Sequence, residues 1–164
     1  MNHPFDEKVR LYQERVAAFM DHAQAWCTAH GLTVEKFPTE LSEEALPKYQ
    51  ANSLRILRPN GQHLAELLPT GAAIIGALGR IDLQGAIARH AFLFQTGKGP
   101  TIGSHIVTSE GKTTHKTTIP IVKGIDGDGW YWYEAFIRQA KRVDESLFLD
   151  LLTDVSDYEF QQSA

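Results

Sequence analysis

The sequence predicts an α+β fold, an antiparallel meander sheet of about six strands with a long N-terminal helix and a C-terminal helix packed on it. Three observations predict it. A helical apolar stripe fills the first thirty residues, a strand-rich stretch broken by turn residues runs from 53 to 137, and a short second stripe closes the chain. The chain has 164 residues, of which 43% are hydrophobic and 22% charged. That is a length at which one hydrophobic core is usual, so residues 1–164 are expected to form a single domain.

The first element is the clearest. Phe5, Val9, Tyr12, Val16, Phe19, Ala23, Trp26 and His30 recur at steps of four and three, one face of a helix over about 4–30. Pro4 suits its first turn and Gly31 its left-handed stop. The same spacing fits a coiled coil. With Val9 as position a, however, Met20 and Cys27 fall at e, where a dimer seam wants charge. Their apolar side chains widen the stripe, as a helix lying on a sheet requires.

A short strand is expected over 32–37, and a brief helix over 41–46 ended by Pro47. Three hairpins should follow. Residues 54–58 and 63–68 flank Pro59-Asn60-Gly61, and Asn-Gly is a strong hairpin signal. Residues 72–83 and 86–94 flank Gln84-Gly85, and 102–108 and 113–122 flank Ser109-Glu110-Gly111-Lys112. Trp130 opens an aromatic strand running to 137, although its periodicity also fits a helix. A C-terminal helix over about 144–155 has Asp144 as N-cap and Val143 with Phe148 as a hydrophobic staple.

Composition removes several functions. The single cysteine, Cys27, has no internal partner for a disulfide, which favours a reducing, cytoplasmic setting. The N-terminus carries no basic start with an apolar run, so no secretory signal is expected. No apolar stretch approaches the roughly 20 residues that span a bilayer, so a soluble protein is expected. A net charge of −4 with scattered Lys and Arg argues against broad, non-specific nucleic-acid binding.

The glycine-rich and acidic segments fail the motifs they suggest. In Gly97-Lys98-Gly99-Pro100-Thr101-Ile102-Gly103 three residues separate the second and third glycines, and Lys98 precedes Gly99 rather than Ser or Thr. Neither the dinucleotide fingerprint nor a Walker loop is met. Asp126-Gly127-Asp128-Gly129 begins like a calcium loop but continues with Trp130 and lacks the closing Glu. Asp82 with Gln95 and Lys98 has the residue types of a metal-dependent nuclease core, but the hairpin spacing keeps Gln95 far from Asp82. His105 should face Lys116 and His115 should face Ile106, sending the two histidines to opposite faces. His90 fits a half-buried histidine with one satisfied nitrogen, and Cys27 a packed thiol. No catalytic residue, cofactor or metal is therefore assigned.

Two groups carry binding expectations. In Trp130-Tyr131-Trp132-Tyr133 the tryptophans face one way along a strand and the tyrosines the other, so one pair is expected at a surface. Arg80, Asp82 and Arg89 should share one face of the second hairpin, with Arg80 directly opposite Arg89 and Asp82 diagonal to it. The two guanidiniums would then form a fork for an acidic protein partner or a phosphate-bearing ligand. The leading expectation is a non-catalytic binding module: an inhibitor, immunity, adaptor or regulatory protein acting through a specific surface. The alternative is an enzyme or effector acting on a phosphate-bearing substrate or nucleic acid through Arg80, Asp82 and Arg89.

Overall fold

Helix α1 (Pro4–Ala29) opens the chain and stops at Gly31, whose φ of 82° lies in the left-handed region. The computed structural model describes residues 4–107, 113–134 and 138–160, with the backbone alone at 4, 103–107 and 113–118. Strands β1 (Thr33–Leu41), β2 (Tyr49–Leu57), β3 (His63–Gly71), β4 (Arg80–Gly85) and β5 (Arg89–Gln95) follow in antiparallel order. The chain then leaves the sheet for a separate two-stranded ribbon, β6 (Thr101–Val107) and β7 (Thr113–Pro120). It returns as β8 (Gly129–Glu134) beside β5, adds β9 (Gln139–Arg142), and ends in α2 (Glu145–Ser156). The main sheet thus has seven strands rather than six, in the order β1-β2-β3-β4-β5-β8-β9.

Strand register separates the two faces. Leu54, Leu67, Leu83 and His90 lie opposite one another across four strands, and the three leucines are buried. Both helices cover this face. From α1, Phe19 packs on Phe92 and Trp130, with ring centroids 5.6 and 5.7 Å apart, and Trp26 packs on Phe148 of α2. Met20 and Cys27 are fully buried, as the widened stripe requires. The opposite face carries the row Glu35, Arg55, Glu66, Gln84 and Arg89 across five strands.

Four expectations need correction. No helix forms over 41–46. Strand β1 instead runs on to Leu41, tolerating Pro38 because it is an edge strand. The loop that follows is held by the Glu43 carboxylate, which accepts from the Tyr49 hydroxyl and from the backbone N–H groups of Ala72 and Ala73. Residues 72–79 form a loop, not a strand, so β4 begins only at Arg80. The turn after β4 is Ala86–Ile87–Ala88 rather than Gln84-Gly85, closed by Gly85 N donating to Ala88 O at 3.0 Å. Its Ile87 and Ala88 N–H groups donate to Val155 O at the end of α2. Gly85 permits that approach, because a Cβ there would lie 2.2 Å from the same oxygen.

The fourth correction concerns the third hairpin, which forms the separate ribbon and does not extend the meander. Its expected turn, 109–112, and the end of the aromatic strand, 135–137, lie outside the described residues. The other local signals hold. Asn60-Gly61 makes the first turn, the expected aromatic strand over 130–137 is strand in its described part, 130–134, and the Asp144 carboxylate accepts from Leu147 N at 2.8 Å as the N-cap of α2.

Candidate functional site

The second hairpin brings Arg80, Asp82 and Arg89 to one face, but not in the expected register. The longer turn places Gln84 opposite Arg89, Asp82 opposite Ala91 and Arg80 opposite Leu93. The guanidiniums are therefore never directly opposed, and Asp82 lies between them. Its carboxylate is 5% exposed and takes a forked contact from Arg80, Nε to Oδ1 at 2.7 Å and Nη2 to Oδ2 at 3.3 Å. Arg89 approaches Oδ2 only to 3.8 Å and keeps 59% of its side chain in solvent. Glu66 does not cover the pair. It faces Gln84 and engages His63 and Arg55.

The aromatic run divides along the strand rather than across it. Trp130 is buried against Phe19, Phe94 and Tyr12 on the helix-covered face. Tyr131, on the other face, is buried under Val122 and Ile125 from the loop before β8. Trp132 and Tyr133 are half-buried. Trp132 donates to Nδ1 of His90 at 3.2 Å, while Nε2 of His90 bonds the Asp154 carboxylate. Both nitrogens of His90 are thus satisfied, one more than expected. Tyr133 accepts from Gln95, which also donates to Gly76 O. Gln95 is thereby committed to the 72–79 loop and not to Asp82.

The calcium-like loop is organised around a guanidinium. Arg142 donates to the carbonyls of Asp126 and Asp128 at 2.7 Å each and to the Tyr131 hydroxyl at 2.8 Å. The Asp126 carboxylate pairs outward with Lys98, which holds its pKa below the usual carboxylate value. Gly129 lets the guanidinium lie flat, since a Cβ there would sit 2.0 Å from Arg142 Nη1. In the ribbon His105 pairs with Lys116 and His115 with Ile106, the register the sequence implies, and both histidine side chains lie outside the description. No group of three His, Cys, Asp or Glu forms a metal site among the described residues.

Cys27 is fully buried, and burial pushes its thiol up to about 12 from 9.0. The unfolded chain therefore loses this proton first. Stability from Cys27 is complete below pH 9 and falls as pH rises toward 12. By pH 10.5 the loss is about 2 kcal/mol from this thiol. Urea melts at pH 8 and pH 10.5 check it, because Cys27→Ala should remove that part of the alkaline loss.

One surface was missed at the sequence level. At one end of the sheet, where the ribbon leaves, Ile75 is 102% exposed, Ile102 61% and Ile119 58%, joined by Leu78 and Ile121. Leu78 and Pro100 share a small cleft there, Ile102 faces Ile119, and Ile121 N donates to Pro100 O at 2.9 Å. The signal in the sequence was Gly71-Ala-Ala-Ile-Ile-Gly-Ala-Leu-Gly79, an apolar run without alternation and broken by glycine. No helix among the described residues is long and apolar enough to cross a membrane. No family model, curated protein or solved structure matches the chain.

Proposed function

We propose that this chain is a non-catalytic protein-binding module, of the inhibitor, immunity, adaptor or regulatory kind, docking its partner at the aliphatic end of the sheet. The observation that carries the proposal is the concentration of five exposed large aliphatic residues where the ribbon departs. Exposed large aliphatic side chains gathered at one end of a sheet are the kind of surface that marks an interaction site. The ribbon argues for protein as the partner. Among the described residues its two strands pair only with each other, so each outer edge offers backbone hydrogen-bonding groups that another strand can match. An isolated two-stranded ribbon is marginal in water, and a partner packed against Ile102 and Ile119 would stabilise it.

The test compares the intact chain with the double substitution Ile75→Asp and Leu78→Ser. The intact chain should capture one protein at one-to-one stoichiometry, and the variant should lose it with its melting temperature unchanged. Equal capture by the variant, or sedimentation of the intact chain with lipid vesicles in place of a protein, overturns the reading. A second reading, recognition of an acidic or phosphate-bearing ligand, is favoured by the loosely engaged Arg89 and is tested separately below.

A further inference from the structure

We propose that the cleft between α1 and the β8–β9 end of the sheet binds a small amphipathic anion: an aromatic or branched aliphatic body carrying a carboxylate or another acid group. The cleft encloses about 420 Å³, within the range of small-molecule sites. Its walls are rings, from Phe19 and Trp26 of α1, Phe94 of β5 and Trp130 of β8. The indole N–H of Trp130 is already bonded to Arg15 O at 3.3 Å, so its contribution to the cleft is carbon. An apolar body displaces water from these walls at little polar cost.

The rim supplies the sign of the head group. Arg15 lies with its guanidinium carbon 4.3 Å from the centroid of Phe94, and no carboxylate or other hydrogen-bond acceptor pairs with it among the described residues. Arg142 is held rigidly by its bonds to Asp126 O, Asp128 O and the Tyr131 hydroxyl. Those three bonds use three of the five donors of a guanidinium, leaving two for a ligand. The rim's one carboxylate, Asp144, is engaged as the N-cap of α2. Two guanidiniums therefore face one committed acid, beside apolar walls that strengthen an added ion pair. A cationic ligand would meet the opposite field.

The probe pair is 8-anilinonaphthalene-1-sulfonate and its uncharged counterpart N-phenyl-1-naphthylamine. Titrations follow the fluorescence of Trp26 and Trp130 together with calorimetry, and thermal melts confirm that each variant is folded. The sulfonate should bind one-to-one. Arg15→Gln should weaken the sulfonate about tenfold and leave the neutral probe unchanged. Ala18→Phe, which projects a ring from an exposed lining position of α1, should weaken both probes about tenfold or more. Equal affinity of the two probes for the intact chain, or sulfonate binding that survives both substitutions, overturns the proposal. So does binding abolished by Ile75→Asp and Leu78→Ser, which would place the probe at the aliphatic end of the sheet. That outcome leaves the protein-docking reading standing, and the two proposals fail separately.

Discussion

Replacing Phe19 with alanine should lower the stability of the folded chain by about 3–5 kcal/mol, the cost of deleting a buried aromatic ring. Phe19 is 4% exposed at the middle of α1, and its ring meets Phe92, Trp130 and Trp26 at centroid distances of 5.6, 5.7 and 6.2 Å. The substitution removes the joint between helix and sheet and leaves a cavity bounded by three rings. Those rings belong to α1, β5 and β8, which cannot all close on the gap without breaking strand pairing. Urea denaturation of the full chain measures the loss. Ile75→Ala, at a fully exposed isoleucine, should stay within about 0.5 kcal/mol in the same assay. A loss below about 1 kcal/mol for Phe19→Ala would show that α1 is not anchored through this ring.

The two arginines of the second hairpin should respond unequally. Arg80→Gln should cost about 2–3 kcal/mol, because it leaves the buried Asp82 carboxylate with only the distant Arg89. This lies below the usual figure for breaking a buried pair, since 37% of the Arg80 side chain reaches water and part of its charge is screened. Arg89→Gln should cost no more than about 1 kcal/mol. Adding Asp82→Asn to Arg80→Gln should recover part of the loss, because the uncompensated charge is then gone. Thermal melts of the four proteins decide the matter, and equal losses for Arg80→Gln and Arg89→Gln would refute the assignment. The same variants separate structure from binding. If the face receives a phosphate-bearing or acidic ligand, Arg89→Gln weakens that binding while the fold stays intact. Inorganic phosphate and an acidic peptide, titrated by calorimetry, are the probes. Unchanged binding in Arg89→Gln removes this face as a ligand site.

Much of the candidate surface was out of reach of local pattern. That Arg80, Asp82 and Arg89 share a face follows from alternation along two strands, and it holds in either register. Which arginine grips Asp82 depends on the length of the turn, and that turn is set by the docking of Ile87 and Ala88 on Val155, far away in the chain. Alternation also placed the tryptophans and tyrosines of β8 on opposite faces. It did not reveal that Val122 and Ile125 fold over Tyr131, nor that His90 and Gln95 engage Trp132 and Tyr133. Arg15 and Arg142 carry no motif at all. Their pairing across the cleft exists only once α1 crosses the sheet and Gly129 admits the guanidinium.

By itself the sequence determined what short-range physics governs. The 3.6-residue stripe of α1 and the left-handed stop at Gly31 need only neighbours along the chain. So do the Asn60-Gly61 turn and the Asp144 cap of α2. Tertiary structure decided the rest. Strand β8 displaces the ribbon from the edge of β5, residues 72–79 become a loop tied down by Glu43 and Gln95, and residues 42–48 become a loop held by Glu43 where a helix was expected over 41–46. In each case a backbone or side-chain bond from a distant element outweighs a local preference worth about 1 kcal/mol or less, so no local pattern could show the outcome.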